Sequence, residues 1–204
     1  MRGHIPILSR TEFWLLCKSV AHSVACAVSS VSAEPPLPGG CGKKISRLPP
    51  FETTVLPAQK GDSLEADEMW SFVTKKKNKR WIWLIVSWQT RQVIAYAVGD
   101  RSAETCRLLW QRVPKEYRRK LIYTDFYEAY VSALPRWQHR PCGKGSGKTC
   151  MVERMNNQIR QRLGRFVRKT LSFSKCPKMH EGCVRWFLQN YNERQKIKIV
   201  LKQL

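Results

Sequence analysis

The alternation of apolar and polar side chains predicts a series of strands that begins near residue 63. Leu64 and Ala66 fall on one face of the first strand and Glu65 and Asp67 on the other, because side chains alternate along a strand with a period of two. Polar turns separate this strand from two further apolar runs. The three predicted strands span residues 63–73, 81–88 and 93–98. The pattern therefore predicts a three-stranded meander.

Helical periods and short apolar runs follow the meander. Ser102 is suited to cap a helix that ends at Pro114, with Leu108, Leu109 and Val113 on its apolar side. The continuously apolar run 120–125 is typical of a buried central strand. The remaining predicted elements are a helix at 126–134, a strand at 137–140, a helix at 150–164 and a last helix at 177–191. The order β-β-β-α-β-α-β-α indicates an α/β fold with a mixed five-stranded sheet flanked by helices.

Composition divides the chain into three parts. Residues 1–60 contain a Pro- and Gly-rich linker at 34–57 and no recognised domain, so we expect this part to be poorly ordered. The ordered domain is predicted at 61–192 and a basic tail at 193–204. The apolar run from Trp14 to Ser29 is a candidate secretory signal, but Lys18 and His22 interrupt it and it is too short to span a bilayer. Together with the C-terminal half of the chain, this favours an intracellular protein without a membrane partner.

The charge balance favours a polyanionic partner. Lys and Arg number 37 against 15 acids, which gives a formal net charge of +22. Nucleic acid is the first choice for such a chain, an anionic membrane surface the second, and a solvated basic surface the alternative. The eight cysteines form no CxxC pair and are interpreted as reduced thiols. Zinc binding by His139, Cys142 and Cys150 stays open, although their spacing matches no common structural site.

Three acids are candidates for a metal site. Asp67 lies in the first predicted strand and Asp125 ends the predicted central strand, so the two carboxylates can lie side by side. Glu153 is the one acid among twelve bases between residues 136 and 178, and a carboxylate there would oppose phosphate binding unless a cation neutralised it. Two-metal phosphoryl transfer needs such converging acids. Glu65 shares the face of Asp67 and could support the site or replace a ligand.

Each acid also has an ordinary structural interpretation. Glu153 could be a first-turn acid stabilised by the helix dipole. Asp125 could cap the next helix, and Asp67 could be a surface acid beside Glu68.

The acidic blocks carry a resemblance to a known family. Residues 65–70 (EADEMW), 123–130 (YTDFYEAY) and 153–157 (ERMNN) resemble the three acidic blocks of insertion sequence 1 family transposases. Residues 165–175 (RFVRKTLSFSK) are similar to the C-terminal block of that family, and the resemblance covers residues 61–192.

The resemblance implies an Asp-Asp-Glu transposase of ribonuclease-H-like fold, with Asp67, Asp125 and Glu153 as catalytic residues and metal ligands. Its cofactor would be a pair of Mg²⁺ ions, for which Mn²⁺ can substitute. Its reaction would be strand cleavage at transposon ends followed by strand transfer into target DNA. Arg160, seven residues after Glu153, would hold the phosphate beside the scissile bond.

The same resemblance implies partners. The basic helix and the segment after it are expected to contact DNA, with Asn156 and Gln161 also able to reach it. The predicted DNA-binding residues are Arg154, Asn157, Arg160, Arg162, Arg165, Arg168 and Lys169. The family's full enzyme has an upstream zinc-binding and helix-turn-helix half, which residues 1–60 do not show, so activity without that half stays open. We expect a homo-oligomer on DNA in the bacterial cytoplasm, associated with the nucleoid.

Two other motifs each allow a functional and a structural interpretation. The loop 143–149 (GKGSGKT) resembles a nucleotide-binding loop, but Cys142 occupies the position that needs glycine, so the loop is interpreted as basic and close to DNA. Trp81, Trp83 and Trp88 could stack on bases, yet packing in the core and on the faces of the sheet is favoured. The rival functions are a ribonuclease-H-like nuclease without strand transfer and a non-enzymatic, DNA-binding transposase remnant.

Overall fold

The structure, a computed structural model, describes residue 45 and residues 47–143, 145–167 and 171–203. The strands are β1 (Ser63–Phe72), β2 (Lys79–Ser87), β3 (Val93–Gly99), β4 (Leu121–Thr124) and β5 (His139–Pro141). The helices are α1 (Ala103–Gln111), α2 (Glu128–Ala133), α3 (Cys150–Arg162) and α4 (Pro177–Gln203). No helix in the described part of the chain is long and apolar enough to cross a membrane. The apolar run from Trp14 to Ser29 lies outside the described residues.

The five strands form one mixed sheet in the order β3-β2-β1-β4-β5. The pairs β1–β2 and β2–β3 are antiparallel, whereas β1–β4 and β4–β5 are parallel. This confirms the predicted α/β, ribonuclease-H-like architecture. The strand before Asp125 is β4, and as predicted it is internal, with β1 on one edge and β5 on the other. The middle strand of the five is β1, which has ten residues and is buried along most of its length, whereas β4 has four residues.

Helices cover both faces of β1. Leu64 and Ala66 join the main apolar core, to which α1 and α2 contribute Leu109 and Tyr130. Glu65 points the other way and bonds the N-terminus of α3. The predicted alternation along β1 therefore sets which side chains face the core and which face α3.

Two predicted helix features need correction. Ser102 caps α1 as predicted, accepting a hydrogen bond from the Thr105 amide. Leu108, placed on the apolar side, is 41% exposed, and the buried Cys106 takes the inward position one turn before Leu109. The end predicted for the last helix at residue 191 is also wrong, because α4 continues to Gln203. Residues 193–203 lack Gly and Pro and consist mostly of good helix formers, so nothing in them ends the helix.

Residues 47–60, which the composition assigned to the N-terminal segment, pack on the domain. Phe51 is buried and its ring stands edge-on to Tyr96 at 5.0 Å between centroids. The Gln92 side chain accepts from the Leu56 amide at 2.9 Å and donates to the Thr54 carbonyl at 3.0 Å. Ordered packing therefore begins before Gly61, the predicted start of the domain.

Candidate active site

An acidic cluster lies where β1 and β4 run side by side. Glu65 pairs with Tyr123 in the parallel β1–β4 ladder, so continuing the register by two residues brings Asp67 beside Asp125. One oxygen each from Asp67, Glu68 and Asp125 lies within 4.8 Å of the others. Within the described residues, this is the one group of three or more potential metal-ligand side chains. His139, Cys142 and Cys150, considered above for zinc, form no such group there.

The cluster forms the floor of a cleft of about 650 Å³. One wall is α3, which contributes Glu153, Asn156, Asn157 and Arg160. Glu153 therefore faces the same cleft as Asp67, although it lies outside the tight group. Its Oε1 accepts a hydrogen bond from the Thr149 hydroxyl at 2.9 Å, and its side chain is exposed.

Asp67 is the most strongly perturbed acid of the cluster. Burial raises the pKa of Asp67 to about 7, and the negative charges of Glu68, Asp125 and Glu153 add to the increase. Asn156 Nδ2 donates to Asp67 Oδ2 at 2.7 Å. Like charges this close favour a cation between them, and carboxylate oxygens are the ligands that hard divalent cations prefer. The donor set of Asp67 and Asp125 therefore fits a divalent metal ion.

Asp125 belongs to the acidic cluster and does not cap α2. Its Oδ1 accepts from the Tyr127 amide at 3.0 Å, which forms a local turn before the helix, and its carboxylate contributes to the acidic cluster. The N-cap of α2 is Tyr127, which makes no side-chain capping bond. The capping interpretation of Asp125 is therefore wrong.

Glu68 is a member of the cluster that the sequence reasoning did not single out. Its Oε1 accepts from Arg101 Nε at 3.0 Å and Nη2 at 2.7 Å, and its Oε2 accepts from the Tyr130 hydroxyl at 2.8 Å. The Arg101 guanidinium lies between the rings of Trp81 (4.6 Å) and Tyr127 (4.1 Å). Burial raises the pKa of Glu68, whereas these hydrogen bonds lower it. Both oxygens of Glu68 are therefore engaged by protein groups.

A signal in the sequence could have identified Glu68. It lies on the same face of β1 as Leu64 and Ala66, so its carboxylate occupies a position that the pattern assigns to the core. An acid at a core position needs partners in the fold, because an unpaired buried charge is costly.

Glu65 anchors the helix that carries Glu153. Its Oε2 accepts from the Met151 amide at 2.7 Å and the Val152 amide at 3.0 Å, and its side chain is buried. The first amides of a helix have no intrahelical acceptor, and Thr149 at the N-cap provides no side-chain bond to them. Of the two roles considered for Glu65, its contacts match support of the site.

The predicted DNA-binding residues fall into several places. Asn157 and Arg160 line the acidic cleft, and the Arg160 guanidinium lies 3.4 Å from the carbonyl oxygens of Trp70 and Phe166. Arg154 lines a separate groove. Arg162 is exposed, Arg165 is half-buried, and Arg168 and Lys169 lie outside the described residues.

Asn156, expected to reach DNA, is 7% exposed and donates to Asp67 instead. The three tryptophans also differ. Trp83 is fully buried and donates to the Asp100 carbonyl at 2.9 Å, as the core interpretation predicted. Trp81 lines the cleft, and Trp88 is 40% exposed, so core packing is wrong for Trp88.

The glycine loop borders the cleft. Gly145 is among the lining residues and has φ +93°, and Gly147 has φ +71°, conformations that side chains other than glycine rarely adopt. Cys142 at the start of this loop also lines the cleft.

Comparison with known proteins relates most of the domain to one family of transposases. The family model described as IS1 transposase matches residues 62–194. The insertion element iso-IS1n protein InsB of Shigella dysenteriae is 32% identical over 127 residues, which cover 62% of this chain and 94% of that protein. The insertion element IS1 protein InsB of Shigella flexneri is 31% identical over 124 residues, 61% of this chain and 92% of its own length. An InsB protein of insertion element IS1 4 from Escherichia coli K12 is 29% identical over 143 residues, 70% of this chain and 80% of its own length. The chain belongs to the IS1 transposase family.

Proposed function

We propose that this transposase cuts DNA at the ends of an insertion sequence and joins the freed ends to target DNA, using Asp67, Asp125 and Glu153 as its catalytic carboxylates. The observation that carries the proposal is the convergence of Asp67 and Asp125 on a cleft whose helical wall bears Glu153. Family membership supports the transposase role. The large basic excess of the chain supports DNA as the substrate.

The proposed reaction consists of two phosphoryl transfers at one site. Water attacks a phosphorus atom at the transposon end, the bond to the 3′ oxygen breaks, and a 3′ hydroxyl is left. That hydroxyl then attacks a phosphorus atom of the target strand, forming one phosphodiester bond as another breaks. Because neither step forms a bond to the protein, no nucleophilic Ser or Tyr is required.

The described side chains divide this work. Asp67 and Asp125 would hold a divalent cation from the sheet side and Glu153 from the helix side, and Asn156 fixes the orientation of Asp67. Bound Mg²⁺, or Mn²⁺ in its place, supplies charge stabilisation for the attacking and leaving oxygens. Arg160 is proposed to hold the phosphate next to the scissile bond from the same cleft.

Recognition of the ends and pairing of two ends complete the proposal. We assign end recognition to an upstream zinc-binding and helix-turn-helix half, and pairing to a homo-oligomer on DNA. The setting proposed for both is the bacterial nucleoid.

The test is metal-dependent nicking of a labelled duplex that carries the element's own ends. Asp125→Asn is expected to reduce nicking by at least about a hundredfold, because it removes a charged ligand from the cluster. The matched control is Glu128→Gln, which removes one negative charge from an exposed position three residues away and should cut like the wild type.

The outcomes separate the rival functions. Nicking that Asp125→Asn abolishes, together with joining to a second duplex, supports the transposase reaction. Nicking without joining favours a nuclease that lacks strand transfer. If the wild type does not nick the duplex even with an upstream recognition half fused to it, the proposal fails. The remaining interpretation is then a DNA-binding remnant of a transposase.

A further inference from the structure

A second groove lies between α3 and α4, beside the turn that joins β2 to β3. It has a volume of about 160 Å³. Its polar lining comes from Arg91 on the turn, Arg154 and Gln158 on α3, and Tyr191 and Gln195 on α4. These side chains offer guanidinium and amide donors, the groups that bind phosphate oxygens most readily.

Two arginines line this groove, Arg91 and Arg154, and Arg162 follows Arg154 at helical spacing on α3. Burial raises the pKa of Tyr191, whereas the charges of Arg91, Arg154 and Arg162 lower it. In the part of the chain that the structure describes, the two ion pairs are Arg101–Glu68 and Arg107–Glu104. None of these three arginines takes part in them.

Arg91 lies near Glu65, whose carboxylate is already engaged. Its charge lowers the pKa of Glu65, whose carboxylate accepts two amides of α3. Tyr191 donates to the Arg91 carbonyl at 2.9 Å and holds the residue in a left-handed conformation, φ +59°, that arginine seldom adopts. A conformation of this kind persists only where the surrounding structure fixes it.

The groove and the acidic cleft occupy different sides of α3. Residues 153, 157 and 160 line the cleft, whereas residues 154, 158 and 162 follow one another at helical spacing on the adjacent stripe. DNA held in the cleft therefore leaves the second stripe free for a further stretch of backbone.

We propose that the groove formed by Arg91, Arg154, Gln158, Tyr191 and Gln195, together with Arg162 at the end of α3, binds the sugar-phosphate backbone of duplex DNA as a contact separate from the acidic cleft. The ligand is recognised by its phosphate oxygens, so binding is independent of sequence. This role goes beyond strand cleavage and does not depend on it.

The test measures binding without catalysis. The full chain is titrated with a fluorescent 30-base-pair duplex in EDTA, and the dissociation constant is measured by anisotropy over a range of KCl concentrations. The variant is Arg154→Gln with Arg162→Gln. The matched control is Arg107→Gln with Arg119→Gln, which removes the same charge from exposed positions on and after α1. Arg154→Lys with Arg162→Lys keeps the charge in the groove.

The groove variant is expected to bind on the order of tenfold more weakly than the control, and its slope of log affinity against log salt should be shallower by about 1.8, or about 0.9 for each lost phosphate contact. The lysine variant should retain most of the salt slope. Equal losses in the groove and control variants would overturn the proposal, because net charge alone would then explain them. Thermal melting of each variant checks folding, and the absence of metal keeps this result apart from the nicking assay.

Discussion

The carboxylates around the cleft differ in what holds each of them. Glu65 and Glu68 have oxygens bonded to amides, a guanidinium or a phenol. Asp67 accepts a side-chain bond from Asn156 and a backbone bond from the Glu68 amide, and nearby like charges help burial to raise its pKa to about 7. Of these three acids, Asp67 is therefore the one whose negative charge a bound cation would stabilise most. Glu65 and Glu68 instead hold neighbouring parts of the fold in place.

His180 makes stability depend on pH at a single residue. Burial lowers its pKa from 6.5 to about 4, with Arg80 and Arg165 adding to the effect, and Nδ1 lies 2.9 Å from Ser174 Oγ. The unfolded chain takes up a proton near pH 6.5 but the folded chain only near pH 4. The stability contributed by the neutral ring is therefore present above pH 6.5 and is lost as the pH falls through this window.

Between pH 6.5 and 4, the free energy of unfolding should fall by about 3 kcal/mol more in the wild type than in His180→Gln. Urea denaturation at a series of pH values measures both. The comparison cancels the other titrating groups, so parallel pH profiles for the two proteins would contradict the prediction.

At single residues, the sequence was informative where periodicity and charge were unusual. Asp67 was a candidate because of its face of β1, and Glu153 was a candidate because it is the one acid among many bases. The expected DNA contact of Asn156 is wrong. Its side chain is chemically identical to that of the neighbouring Asn157, and only the position of α3 over β1 shows that Asn156 points inward. The distance of Glu153 from the other acids likewise depends on the angle at which α3 crosses the sheet, which no local pattern determines.

At the level of elements, the contact between β1 and α3 decides the geometry of the cleft. The Glu65 carboxylate bonds the amides of Met151 and Val152 in the first turn of α3. One turn later, Asn156 bonds Asp67 on the same strand. The helix is thus fixed to β1 at two heights.

Replacing Glu65 with Ala should destabilise the fold by about 2–3 kcal/mol, because two buried amides lose a charged acceptor. Hydrogen exchange at the Met151 and Val152 amides should accelerate more than exchange along β2. Glu65→Gln retains an acceptor and should show a smaller effect on both measurements. Unchanged protection of the two amides in Glu65→Ala would show that Glu65 does not hold the helix.

Element order and strand periods were predictable, because apolar alternation and caps are local. The length of α4 could not be predicted, because where a run of helix-forming residues stops depends on tertiary contacts or on a helix-breaking residue. Leu108 shows a similar limit: apolar residues at helical spacing do not say how wide the buried stripe is.

At the level of the whole molecule, the segment before β1 is part of the domain. Arg185 and Gln189 of α4 donate to the Pro49 carbonyl, and the Tyr117 hydroxyl donates to the Leu56 carbonyl. Phe51 is buried between these contacts and Tyr96. The segment therefore links α4 to the short helical turn that precedes β4.

A chain that starts at residue 61 should be less stable than one that starts at residue 45 by about 3 kcal/mol, since burial of Phe51 and several hydrogen bonds are lost. Thermal and urea denaturation of the two truncated chains measure the difference. Phe51→Ala in the full chain should reproduce much of it. Equal stabilities would mean that residues 45–60 contribute nothing to the fold.

The parallel pairing of β1 with β4 also has a consequence for synthesis on the ribosome. Asp67 and Asp125 are separated by 58 residues and can come together only after β4 has been synthesised, and Glu153 follows later in the chain with α3. A nascent chain that stops before α3 thus contains two acids without the wall that faces them. The cleft is complete only once α3 has left the ribosome, so a translation product that ends before residue 150 lacks the wall that bears Glu153.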